Sequence, residues 1–215
     1  MADHDYDRLL WDESRDLSET LNRLDDASFD QLSLCEGWRV RDVASHMIVG
    51  HTTPMPSMLA SLAKYRGNVP KGSFEMSRDY GSSHTAAEIR TDWSTVATEH
   101  TRKGIARVIP TKEAFVDHLV HHQDIRRPLG QPRAIPAERL VAALDALPGI
   151  GGFLKSKQRM RGLHWVATDA DWSFGEGPEV RGPAEALILA ASGRPASLGE
   201  ITGDGQAELA RRIAA

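Results

Sequence analysis

Cysteine is nearly absent from this 215-residue chain, in which Cys35 stands alone. One cysteine excludes an internal disulfide and any zinc site built on several thiolates, and the residue reads as a small hydrophobe. Aromatic residues are few, at 6%, and nowhere do they interleave with basic residues as a base-stacking platform would. Basic charge is not in excess: 26 Lys and Arg against 30 Asp and Glu give a formal net charge of −4. No global field therefore draws the chain to nucleic acid or to anionic lipid. No apolar run approaches the roughly 18 residues of a membrane-spanning helix, and the N-terminus lacks a basic lead followed by an apolar block. These absences predict a cytoplasmic protein that binds neither nucleic acid nor membrane. HExxH, CxxC and the EF-hand loop are also missing, so none of the sharply specific local metal motifs is present.

A hydrophobic content of 40% over this length supports one ordinary domain, or a main domain with a small appendage. Residues 1–30 carry ten Asp and Glu against three Arg, yet Leu9, Leu10, Leu17, Leu21 and Leu24 recur at helical spacing. This is an amphipathic helix over about 4–26 rather than an acidic tail. A second helix is predicted from about 39 to 63, through Val40, Val43, Ala44, Met47 and Ile48. Residues 66–84, rich in Gly, Pro and Ser, read as a long loop that could cover a site. Thr85 and Glu88 form a capping box that opens a third helix to about Arg107. Pro110 separates it from a fourth over about 111–127, which stops near Pro128 and Gly130. Four helices of this length favour a four-helix bundle.

Beyond the bundle, AIPAERLVAALDAL reads as a further helix with Pro136 in its first turn, and GIGGF breaks the pattern around 149–153. GLHWVATDADWSFGEGPEV holds two short runs of aromatic and β-branched residues divided by TDAD, which predicts a hairpin or small meander. Pro183 opens a helix that Gly193 terminates. The expected fold is mainly α: a bundle over 1–154 with a small α+β appendage over 155–215.

The fourth helix concentrates ligand chemistry, with three histidines and two aspartates between Asp117 and Asp124. His118 with His122, and Asp117 with His121, are both i,i+4 pairs, so either could present two ligands on adjacent turns. Both pairs flank the apolar stripe of Phe115, Val116, Leu119 and Val120, and solvated polar positions would give the same pattern. Spacing alone leaves the choice open.

Three segments carry a resemblance: LCEGWRVRDVASHM, from Leu34 to Met47; DHLVHHQDIRRPLG, from Asp117 to Gly130; and GLHWVATDADWSFGEGPEVRGPAEALILAASGR, from Gly162 to Arg194. Together they resemble the DinB-like superfamily and, within it, the mycothiol-dependent maleylpyruvate isomerase family. The resemblance implies a divalent metal at one end of the bundle, held by His46, Asp117 and His121. The family's best-known member has glutamate where this chain has Asp117, one methylene longer. His118 and His122 are then left with supporting or surface roles, and Asp124 with that of a hydrogen-bond acceptor or helix salt bridge. Arg194 resembles the arginine that completes the family's active site, where it could hold a carboxylate bidentately. Arg126 and Arg127 complement the helix dipole, and Trp38, Trp165 and Trp172 read as packing residues. Arg39 occupies a position where Thr or Ser commonly caps a helix.

Two imidazoles and a carboxylate leave positions open for substrate, the catalytic rather than the closed structural arrangement. Zinc is the leading metal, and because nitrogen and oxygen ligands without thiolate also suit nickel, iron, cobalt or manganese, the ligand set does not fix its identity. The implied function is a mycothiol-dependent transferase or isomerase in which a small-molecule thiol attacks a small electrophilic, acidic substrate. The alternative is a non-catalytic DinB-like metal-binding protein acting in stress response or partner binding, and either would be a monomer or a homodimer.

Overall fold

The leucines of the acidic N-terminal stretch turn inward along α1 (Tyr6–Arg23), burying Leu9, Leu10, Leu17 and Leu21 while most of its acidic residues stay outside. The computed structural model describes residues 3–152 and 154–215. The second helix is shorter than predicted: α2 (Val40–Thr52) ends before Pro54, and α3 (Met55–Lys64) starts anew after it. Pro54 has no amide hydrogen to extend the ladder and holds the residue before it extended, as the φ of −71° and ψ of 122° at Thr53 show. The N-terminus of α2 has no hydroxyl cap, but Asp42 serves instead. Its buried carboxylate accepts the Arg39 amide at 2.9 Å and the Arg39 guanidinium at 2.9–3.0 Å, which raises the guanidinium above its ordinary pKa.

The predicted loop over 66–84 is the helix α4 (Val69–Ser83). Asn68 caps it by accepting the Lys71 amide at 3.0 Å, and Pro70 sits in the first turn, where no intrahelical donor is lost. Its buried residues are the small Gly72, Ser77 and Gly81, so α2 and α4 approach closely. A Cβ at Gly81 would stand 3.0 Å from Asp42 Oδ1 and 3.1 Å from Ser45 Oγ. The capping box of α5 (Ala86–Glu99) forms as expected, with Glu88 accepting the Thr85 amide at 2.7 Å. That helix stops at His100, in the left-handed region at φ 51°, and a short 3-10 turn, Gly104–Arg107, follows. The fourth bundle helix of the sequence reading is α6 (Thr111–Arg126).

The chain divides into two compact units, Asp7–Ala114 with His121–Pro132, and Met1–Tyr6 with Phe115–Val120 and Arg133–Ala215; α6 contributes to both. In the first unit, buried Trp93 of α5 donates its indole hydrogen to Ser14 O of α1 at 3.1 Å, and α2 packs against α4 and α5. Among the described residues no helix is long and apolar enough to cross a membrane.

The second unit holds α7 (Ala137–Ala146), the 3-10 turn Leu147–Gly149 at the predicted break, and α8 (Ser156–Met160). Phe153, the last residue of that break, lies outside the described residues. The hairpin is present, with β1 (His164–Ala167) antiparallel to β2 (Ser173–Phe174). A third strand, β3 (Glu179–Gly182), adds parallel to the other edge of β1, so β1 is central rather than β2 as in a meander. Gly177, at φ 131°, makes the return possible, since a side chain there would collide with Gly162 O. Pro183 precedes α9 (Ala184–Ala191), whose residues are nearly all buried, and α10 (Gln206–Ile213) follows a further 3-10 stretch.

The close α2–α4 approach yields a prediction. Gly81→Leu should lower stability by about 1–3 kcal/mol through overpacking against Asp42 and Ser45, read as a lowered melting temperature, whereas the same change at exposed Ser82 should leave it nearly unchanged.

Candidate metal centre

α6 is buried on almost every side, so its polar residues are interior groups that require partners. His118 is 2% exposed, His121 8%, and His122 and Asp124 0%. None is the solvated position that spacing alone allowed. His122 is held by both ring nitrogens: Nδ1 lies 2.7 Å from Glu13 Oε1 and Nε2 lies 2.8 Å from Thr20 Oγ1. Glu13 is itself fully buried. His122 therefore ties α6 to α1 in the core, which corrects the surface role expected for it and for His118.

His121 is arranged differently. Its Nδ1 lies 2.9 Å from Asp124 Oδ2, three residues on along the helix. Across from it on α2, half-buried His46 has Nδ1 at 3.1 Å from Ser73 Oγ of α4. Its ring centroid is 5.1 Å from that of His121, at an interplanar angle of 73°. Each imidazole has a partner on its Nδ1 side, the arrangement that fixes a ligand's tautomer and orientation. Asp117 stands one turn before His121 on α6. His46, Asp117 and His121 each offer one ligand atom, and these lie within 4.8 Å of one another. Two nitrogens and a carboxylate oxygen suit a divalent cation such as zinc or nickel.

Trp38 meets His46 edge-on at 5.5 Å and Phe74 at 5.4 Å, so the predicted packing tryptophan packs against a candidate ligand. Sequence reasoning missed Ser73 and Phe74, because both fall in the stretch read as loop. It also set Cys35 aside as a hydrophobe, although Cys35 Sγ lies 3.1 Å from the same Asp124 Oδ2 that accepts from His121. A second set of potential ligands, Cys35, His121 and Asp124, falls within the same 4.8 Å limit.

The remaining assignments fall elsewhere. Arg126 is buried and donates to Gln123 Oε1 at 2.7 Å and to Gln131 O, so it closes the end of α6 by hydrogen bonding as well as by charge. Trp165 is fully buried and donates to Met160 O at 3.3 Å, and Trp172 donates to Asp145 Oδ1 at 2.9 Å. Arg194, half-buried after α9, donates to Ser192 O at 2.8 Å. Burial first, and then the positive charge of Arg194, hold the Arg159 guanidinium below its ordinary pKa, so two cations share this neighbourhood.

A mostly helical chain with a small three-stranded sheet toward its C-terminus has the DinB-like fold. Residues 10–126 match the family model described as the mycothiol maleylpyruvate isomerase N-terminal domain, and the chain belongs to that family. Two solved structures share the fold: a mycothiol-dependent maleylpyruvate isomerase, with a TM-score of 0.62, and a histidine-to-alanine mutant of such an enzyme, with 0.61. Each is 16% identical and matches over 94% of this chain and 92% of its own. No curated protein sequence matches.

The two histidine environments predict different failures. His122→Ala should cost about 3–5 kcal/mol, because it removes the buried contact between the imidazole and the Glu13 carboxyl in the core. Denaturant unfolding of that variant, beside His118→Ala and His121→Ala, checks whether the Glu13 pair accounts for the loss.

Proposed function

We propose that this chain is a metal-dependent, mycothiol-using isomerase or S-transferase acting on a small electrophilic substrate that carries a carboxylate. The observation that carries this reading is the convergence of His46, Asp117 and His121 within one bundle, in a chain of the mycothiol maleylpyruvate isomerase family. Asp124 and Ser73 hold the two imidazoles with Nδ1 engaged, so each would hold the cation through Nε2 and Asp117 would supply the anionic ligand. A divalent cation held there supplies positive charge that lets a thiol ionise near neutral pH.

The remaining work belongs to the chain. Trp38, packed edge-on against His46 and in turn against Phe74, keeps water from one side of the centre, which strengthens electrostatic contacts inside it. We assign Arg194 to the substrate's carboxylate, with residues 155–215 serving to carry that guanidinium and residues 1–154 holding the cation. Orientation by such a charge-assisted contact places the electrophilic carbon before the thiolate sulfur. In isomerisation a C–S bond forms at the alkene carbon and the π electrons move into the conjugated carbonyl. The former double bond then rotates, and the same C–S bond breaks. At a carbon bearing a leaving group, that group instead departs with its electron pair and the thioether remains.

Two outcomes are expected. The purified protein should hold about one divalent cation per chain, and His46→Ala or His121→Ala should weaken its binding by at least about 100-fold, since loss of a ligand exceeds the loss of a supporting contact. Cation content measured together with chelator competition checks this. With mycothiol and a cis-unsaturated keto acid such as maleylpyruvate, Arg194→Ala should lower turnover by about 10–1000-fold with cation content and melting temperature unchanged. Full turnover with a lowered melting temperature would make Arg194 a helix-end residue only. Absence of turnover across acidic electrophiles, with cation and thiol supplied, would favour a non-catalytic metal-binding protein.

A further inference from the structure

Outside the proposed centre, the most concentrated unassigned chemistry lies around Asp124. Its carboxylate is fully buried, and Oδ2 meets both His121 Nδ1 at 2.9 Å and Cys35 Sγ at 3.1 Å. The turn that presents the thiol is tightly held. Leu34 donates its amide to Asp124 O at 3.0 Å, the Cys35 amide donates to Ser33 Oγ at 3.1 Å, and Ser33 Oγ donates to Trp38 O at 3.0 Å. A sulfur, a carboxylate oxygen and an imidazole nitrogen are thus gathered within 4.8 Å by elements far apart in sequence.

We propose that Cys35, Asp124 and His121 form a second cation site, selective for a thiophilic ion, and that it competes with the first through the tautomer of His121. A soft dication such as cadmium or mercury prefers thiolate over the all-nitrogen-and-oxygen set of His46, Asp117 and His121. Binding replaces the contacts of His121 and Cys35 with Asp124 Oδ2 by three metal–ligand bonds. The Cys35 thiol releases its proton to solvent as the S–metal bond forms. The His121 ring proton leaves Nδ1 and settles on Nε2, so the ring's charge is unchanged. With Nε2 protonated, His121 no longer has a lone pair to give the first centre. One imidazole serves one site or the other, which makes the protein open to inhibition by thiophilic metal even though Cys35 takes no part in the proposed reaction.

Titration of the full-length protein with cadmium chloride tests this. A thiolate-to-cadmium charge-transfer band should grow in the ultraviolet and saturate near one equivalent. It should be absent in Cys35→Ala, be weakened in Asp124→Asn and persist in His46→Ala, because His46 belongs only to the first centre. Cadmium should also abolish the visible ligand-field absorption of cobalt-loaded wild-type protein at cadmium concentrations that leave cobalt-loaded Cys35→Ala intact. Competition rests on the proposed first centre and the band does not, so a band without competition would overturn the shared use of His121 alone. No band in folded wild-type protein, or a band that survives Cys35→Ala, would overturn the second site and leave Cys35 as a hydrogen-bond support for Asp124. Melting curves of each variant separate loss of the site from loss of the fold.

Discussion

The contact between His121 Nδ1 and the buried carboxylate of Asp124 determines what α6 can do. An imidazole in a protein interior without a partner is costly, and one that can turn is a poor ligand. Asp124 removes both problems by engaging one nitrogen and fixing the ring, so the other is presented in a defined direction. From α4, Ser73 does the same for His46 of α2, with a neutral hydroxyl in place of a carboxylate. The two imidazoles are thus held by different chemistry, a carboxylate behind His121 and a hydroxyl beside His46.

Burial of so many polar groups on one helix is tolerated because His122, Asp124 and Arg126 each find partners. Glu13 and Thr20 of α1 take His122, Gln123 and the chain after α6 take Arg126, and the Cys35 turn takes Asp124. The same contacts that stabilise the bundle therefore fix the register of α6. A slip by one residue would exchange a core histidine for a candidate ligand.

Much of this was legible in the sequence, and the exceptions have identifiable causes. Leucine spacing located α1, the Thr85–Glu88 pattern marked the start of α5, and Pro183 and Gly193 bracketed α9. The resemblance brought forward His46, Asp117 and His121, which the fold gathers together. α4 stayed hidden because it buries Gly72, Ser77 and Gly81 rather than large apolar residues, so hydrophobic periodicity gave no signal, and Ser73 and Phe74 went unnoticed with it. On α6 the sequence placed the helix but could not choose between its two i,i+4 pairs, since a helix buried nearly all round has no polar face to set one pair apart. The parallel placement of β3 depends on a return through Gly177 that strand propensity does not encode. Cys35 was undervalued because its neighbour Asp124 lies 89 residues away in the chain.

The central claim is that the cation sits between α2 and α6, on Nε2 of His46, the carboxylate of Asp117 and Nε2 of His121. Anomalous diffraction from crystals of the protein loaded with one equivalent of zinc locates the ion directly. The account predicts a single strong peak bonded to those three side chains, with His121 Nδ1 still on Asp124 and His122 still between Glu13 and Thr20. A peak bonded to His118 and His122, with His46 turned away, would contradict it.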